Sequence, residues 1–286
     1  MIKPRFTNFP DSDSEKLKRF SRMTLSHIRE ELDAITVPYP NYFYKYIRSD
    51  IRYDRLSCLL IDSDFYLNSR VDFNDPFDST ANIQLNDSKK ELRKKFETLI
   101  KSGLKNSNQN MDKWEIQNKV SELMEKNQNT PYFLDDFMVN AVNEIGIYCL
   151  SENNASILMW SHFANNHNGL VLEFEVAETI DTFLGISKII YSEKYPTLKF
   201  MNQKDNDHYN LVTTKSKDWE YEKEWRIIKP YGAKKYLAFK PSALRSLTFG
   251  CKADETVRKL VSELLEKRAE LGLPKITIKQ ARMHEK

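Results

Sequence analysis

The chain has 286 residues, with 44 basic and 41 acidic side chains, a net charge of +3 and 40% apolar residues. The length suits one large domain or two small ones, and 7 glycines and 10 prolines argue against long flexible linkers. Charge this close to balance neither demands nor excludes a nucleic-acid partner.

Cys58, Cys149 and Cys251 are widely spaced and odd in number. They match neither zinc-ligand spacing nor a secreted disulfide framework, so they read as small buried residues in a reducing cytosol. The first residues lack the apolar core of a signal peptide, and no run approaches ~20 apolar residues. The expectation is a cytoplasmic protein without a membrane span.

In chain order, residues 1–40 read as a helical arm, with Leu17, Phe20, Met23, Leu25, Ile28 and Leu32 near helical spacing. Pro38 and Pro40 close it. The remainder, 41–286, reads as one domain. YFYKYIR at 42–48 predicts a strand with Tyr42, Tyr44 and Tyr46 on one face and Phe43, Lys45 and Ile47 on the other. Residues 50–61 predict a short helix, 65–67 a brief strand, and FNDPFD at 73–78 a loop, in which Asn74 or Asp75 caps the turn. Residues 83–143 form a lysine- and asparagine-rich helical insertion, with helical patterns near 87–104, 111–127 and 131–143.

After the insertion come a strand at 145–150, a helix at 155–164 and a strand at 169–175. A further strand is expected at 186–191 after Gly185, and a helix or loop within 194–213. Tyr221–Ile228 predicts a strand with alternating faces, followed by strands at 236–239 and 247–249. Residues 253–271 predict the clearest helix, ended by Gly272 and Pro274, and 276–278 a last edge strand. The sum is an α+β fold, a core of short strands with helices at the start, middle and end.

Several stretches carry candidate chemistry. On a strand, Glu222, Glu224 and Arg226 would share one face, opposite Lys223 and Trp225. Two carboxylates and a guanidinium so placed can do acid–base work or stabilise a developing cation; the plain alternative is a solvated face with a salt bridge. Lys45 among tyrosines is either a ligand contact or a snorkelling lysine. Ser161 and His162 are adjacent on a helix and so face different ways, a poor nucleophile–base pair. His162, His167 and Glu173 match no metal spacing. Asp75 and Asp78 could contact a ligand. Lys89, Lys90, Arg93, Lys94 and Lys95 form a basic patch, either a solvated helix face or a site for RNA or DNA phosphates.

The combination of YKY (44–46), FNDPFD (73–78), WSHFA (160–164), HNGLVLEF (167–174) and YEKEWR (221–226) resembles a widespread bacterial family of uncharacterised, accessory or defence-type proteins. More distantly, the chain resembles ADP-ribosyltransferases of the diphtheria-toxin and poly-ADP-ribose-polymerase type. FYKYIR with 50–67, then Gly146-Ile147-Tyr148-Cys149 with the Trp160-Ser161 helix and 169–174, then Glu222-x-Glu224, follow the order of that family's three segments.

That resemblance implies a split mixed or antiparallel β core, NAD as substrate and no metal. It puts Lys45 on a ribose edge of NAD, the backbone of Tyr46 on the carboxamide, and Tyr148 stacked on nicotinamide with Phe163 or Trp160 behind it. Ser161 would bond the carboxamide, Glu224 the ribose hydroxyl and the oxocarbenium-like transition state, and Glu222 the nucleophile. Lysine stands at position 45 where the family has histidine or arginine, so Arg48 is an alternative for that role, as Ser151 is for Tyr148.

The implied function is an intracellular toxin or phage-defence effector that modifies a protein or nucleic acid, or an NAD glycohydrolase. A toxic activity would require an antitoxin, inhibitor or trigger. The rival is a non-enzymatic nucleic-acid- or protein-binding module, in which the charged residues form a structural ion network. On the enzymatic reading, Lys45, Tyr148 and Glu224 line one cleft.

Overall fold

The computed structural model describes residues 40–80, 82–84, 89–107, 110–126, 142–183, 186–199 and 207–282. The expected N-terminal arm up to residue 39, Gly185 and most of the third insertion helix lie outside the described residues. In chain order the elements are β1 (Tyr42–Ile47), α1 (Tyr53–Leu60), β2 (Asp64–Tyr66), β3 (Asn82–Gln84), α2 (Lys89–Ser107) and α3 (Lys113–Lys126). There follow β4 (Gly146–Ser151), α4 (Ile157–Phe163), β5 (Leu170–Glu175), α5 (Ile180–Phe183), β6 (Ile186–Lys188), β7 (Ile190–Ser192) and β8 (Thr197–Lys199). The last third holds α6 (Asp207–Thr213), β9 (Thr214–Ser216), β10 (Glu224–Lys229), β11 (Tyr236–Ala238), β12 (Leu244–Phe249), α7 (Glu255–Glu270) and β13 (Thr277–Gln280).

The architecture is α+β around a seven-stranded sheet in the order β13-β12-β5-β1-β4-β10-β6. Its pairs are antiparallel except β12 with β13. The sheet is divided in the middle. β1 pairs with β5 over its whole length, from Tyr42↔Glu175 to Ile47↔Leu170, and β4 pairs with β10 from Gly146↔Lys229 to Ser151↔Glu224. Between those two ribbons, β1 and β4 meet only at Tyr44↔Ser151.

Alternation along the strands builds two unlike faces. Phe43, Ile47, Tyr148, Leu150, Leu172, Phe174, Trp225 and Ile227 face the main core, closed by Leu56 and Leu60 of α1 and by Val257, Val261 and Leu264 of α7. The other face carries two smaller clusters. One packs Tyr46 and Val171 under Met159 and Trp160 of α4; the other packs Ile147 and Ile228 against Leu211 and Val212 of α6. Strand residues Cys149, Ser151, Glu224 and Arg226 belong to this second face, and charged groups gather there.

The expected strand at 221–228 starts later. Residues Lys217–Glu222 form a 3-10 helix, whose N-terminal Ser216 side chain accepts from the Asp218 N–H, and Lys223 turns left-handed at φ 46°. Only from Glu224 does the chain run in the sheet. Glu222 therefore reaches its neighbours from the turn above the strand, and Lys223 is half-buried there rather than sharing a strand face with Trp225. The expected strand at 186–191 is likewise two short strands, β6 and β7, in different sheets. Among the described residues no helix is long and apolar enough to cross a membrane.

Candidate active site

The divergence of β1 from β4 opens a cleft of about 600 Å³. Of the residues singled out in the sequence, Lys45, Tyr46, Arg48, Tyr148, Ser151, Phe163, Glu222 and Glu224 line it. Trp160 and Ser161 do not. Trp160 is buried edge-on against Tyr46, with its indole N–H donating to the Asn154 carbonyl at 3.0 Å. Ser161 Oγ donates back to the Ile157 carbonyl of its own helix and lies 3.2 Å from His167 Nε2. Arg48 sits exposed at the rim in a two-bond pair with Asp50.

Lys45 comes from the core-facing side of β1, and its ammonium bridges the gap to β4. It donates to the Cys149 carbonyl at 2.9 Å and lies 4.6 Å from the centre of the Tyr148 ring. Burial lowers its pKa, against the raising influence of Cys149, Glu224 and Glu222. The other side of Tyr148 is stacked on Phe65, ring centres 4.3 Å apart. The Tyr148 ring is thus already packed, and its buried hydroxyl has no hydrogen-bond partner.

At the polar end of the cleft five charged side chains are buried together. Arg226, fully buried, pairs with both Asp78 (2.5 and 2.8 Å) and Glu224 (2.8 and 3.1 Å). Lys215 pairs with Glu222 at 2.6 Å, Glu224 at 3.1 Å and Asp78 at 3.5 Å. Both Glu224 oxygens are thus engaged by cations. Glu222 Oε2 meets Lys215 and Oε1 is buried with no donor to it, while the protonated carboxyl has Glu224 as its hydrogen-bond acceptor. Its backbone is anchored by Ser151, whose hydroxyl donates to the Glu222 carbonyl at 2.5 Å.

The two carboxyls respond oppositely. Burial and the neighbouring Glu224 charge push Glu222 up to about 8, with Lys215 pulling against them. Burial would raise Glu224 too, but the Arg226 guanidinium and Lys215 ammonium overcome it and hold Glu224 well below the usual carboxylate range. With Glu222 ionised, three carboxylates face two cations, and the group carries a net negative charge. Such an arrangement can stabilise a developing cation and accept a proton near neutral pH.

Lys215 stands in no motif of the sequence, and neither does the partner of Asp78 announce itself there. Asp78 lies 148 residues from Arg226, so no local pattern carries that pairing. In FNDPFD it is Asp75 that caps the turn, accepting from the Phe77 N–H at 2.9 Å. His162, His167 and Glu173 have separate partners in Tyr221, Ser161 and Lys279. Among the described residues no cluster of His, Cys, Asp and Glu could hold a metal ion.

Searches against curated proteins and solved structures returned no match. Residues 159–227 are similar to a family described as a protein of unknown function (DUF2971). That stretch runs from α4 into β10 and includes Lys215, Glu222, Glu224 and Arg226, but not Lys45, Asp78 or Tyr148.

Proposed function

We propose that this protein is an NAD-consuming ADP-ribosyltransferase whose active site is the cleft between β1 and β4. One observation carries the reading. Glu222 and Tyr148 line a cleft that also holds Lys45, where the central strands part, and the buried Glu222 Oε1 receives no donor and the Tyr148 hydroxyl has no partner. An unpaired buried polar atom is costly, and a polar ligand removes that cost. The order Lys45, Tyr148, Glu222-x-Glu224 along the chain agrees with the resemblance drawn from the sequence.

In this reading the bond between nicotinamide nitrogen and ribose C1′ breaks, and its electron pair leaves with nicotinamide. Positive charge develops on the ribose, and the net negative carboxylate group stabilises it. Glu224, held ionised, supplies fixed charge. Glu222 takes the proton from the attacking acceptor or water. Lys45 and the Tyr148 hydroxyl donate hydrogen bonds to polar groups of the nicotinamide riboside. NAD consumption of this kind suits an intracellular effector in toxicity or phage defence.

Incubating purified protein with NAD and measuring free nicotinamide tests the proposal. Glu222→Gln is expected to lower release at least a hundredfold with the fold intact by circular dichroism. Absence of both NAD binding and nicotinamide release by folded wild-type protein would overturn it.

The second reading is a non-enzymatic binding module with a structural ion network. It is favoured by the closed Asp78–Arg226–Glu224 part, in which each Arg226 nitrogen already has an internal partner. It predicts that Glu222→Gln leaves every ligand-dependent readout unchanged.

A further inference from the structure

The last turn of α4 and the 3-10 segment leading into Glu222 bring four aromatic rings to one rim of the cleft. Trp219 and Tyr221 have ring centres 6.0 Å apart; His162 lies 6.3 Å from Trp219 and 5.8 Å from Tyr221; Phe163 lies 6.4 Å from Trp219. His162 Nδ1 and the Tyr221 hydroxyl are joined at 2.7 Å, which fixes both rings. The rings are half-buried or exposed, and His162 and Phe163 line the cleft itself. Glu222, next in sequence to Tyr221, is 3% exposed and lines the same cleft, with no donor to its Oε1.

We propose that this rim is a stacking site for a nucleobase, which it presents to Glu222 as the acceptor of ADP-ribose. The inference deepens the transferase reading and rests on it. Base stacking on aromatic side chains is favourable and tolerant of sequence. The alternative flat acceptor is a guanidinium, but Lys215 already lies 5.1 Å from the Trp219 ring centre. The cation position over that ring is therefore already filled, whereas a neutral heteroaromatic ring needs only an aromatic edge or face. The charges around the rim are also mixed: Lys217 pairs with Glu193, Lys188 with Glu152 and Lys223 with Glu220, and Asp218 accepts from Ser216. They give no acidic funnel that would favour a basic peptide.

The step balances as follows. A ring or exocyclic nitrogen of the base forms a bond to ribose C1′ as the C1′–nicotinamide bond breaks. The nicotinamide leaves with that electron pair, and the proton from the base nitrogen passes to the Glu222 carboxylate.

The test uses the full chain in two parts. Without NAD, binding of free nucleosides is followed by calorimetry, and binding of fluorescent single-stranded RNA and DNA oligonucleotides by anisotropy. The two arms distinguish a free base from a base in a strand. Trp219→Ala is expected to weaken binding about tenfold in whichever arm binds, with Trp219→Phe restoring most of it. With NAD, mass spectrometry should find ADP-ribose on the base, and the transfer rate should rise with pH through the titration of Glu222. If nicotinamide is released but an arginine-containing peptide is modified and no base is, the acceptor assignment is overturned while the transferase reading stands. If bases bind in a Trp219-dependent way but no nicotinamide is released, the stacking site stands and the transferase reading fails. Equal base binding by wild type and Trp219→Ala, or none by either, overturns the site.

Discussion

Glu222 and Glu224 stand two positions apart and share Lys215, yet only Glu224 also reaches Arg226. That difference of one partner separates their protonation. Glu222, ordinarily near 4.5, titrates at about 8 in the folded protein because burial and the Glu224 charge oppose its ionisation. Between those two values the unfolded chain has released this proton and the folded protein still holds it. The contribution of Glu222 to stability is therefore undiminished below about 4.5 and declines as pH rises towards 8. Glu224 runs the other way: its folded value is depressed, so its contribution is present above the ordinary carboxylate range and is lost in acid. Glutamine at position 222 cannot titrate. Melting temperatures of Glu222→Gln and wild type are expected to agree near pH 5 and to diverge by several degrees at pH 8 to 9, with the variant higher. Parallel melting curves across that range would show that Glu222 ionises freely in the folded protein.

At the level of elements, the strands were legible because their alternation is strong and matches their burial. YFYKYI has Phe43 and Ile47 in the main core and Tyr46 on the opposite cluster, as its period of two requires. The same rule failed at 221–223, where the alternation of YEKEW continues that of β10 but the chain is not yet in the sheet. Hydrogen bonds that a pattern of apolar residues does not contain, the Ser216 cap and the Lys223 N–H to the Glu220 carbonyl, fold that segment into a 3-10 turn. This misplacement is also why the aromatic rim was not foreseen: a strand starting at Tyr221 would set that ring along the sheet rather than beside His162.

The position of β4, which carries Tyr148 and Ser151, depends on a close backbone approach at its first residue. A Cβ on Gly146 would lie 2.3 Å from the carbonyl carbon of Gly232, and Gly146 is not left-handed, so the constraint is steric alone. Gly146→Ala is expected to lower the urea midpoint by an amount worth about 1–3 kcal/mol without changing the slope. A smaller effect would mean that the turn carrying Gly232 yields freely.

Across the whole molecule, the α+β class was readable from composition and periodicity, as were the helices Lys89–Ser107 and Lys113–Lys126. The order of the strands in the sheet was not readable, because it depends on which strands pair. The insertion raises a question of independence. Phe96, Ile116 and Val120 form a cluster with Leu92, Ile100, Leu104, Met111, Leu123 and Met124, all from α2, α3 and the link between them. Among the described residues this cluster draws on those elements and not on the sheet. Two helices of this length are marginal in isolation and depend on their shared apolar face. Phe96→Ala removes the largest buried side chain of that face, a loss of about 3–5 kcal/mol. If the hairpin opens as a separate unit, that loss falls on it alone. Hydrogen exchange is then expected to show α2 and α3 losing protection while β4, β5 and β10 keep theirs, and trypsin should cut first among the insertion lysines. The sheet should melt at the wild-type temperature. Loss of protection in β4 and β10 together with α2 would instead make the hairpin part of one cooperative unit with the cleft, and the basic face of the insertion would then be coupled to whatever binds between β1 and β4.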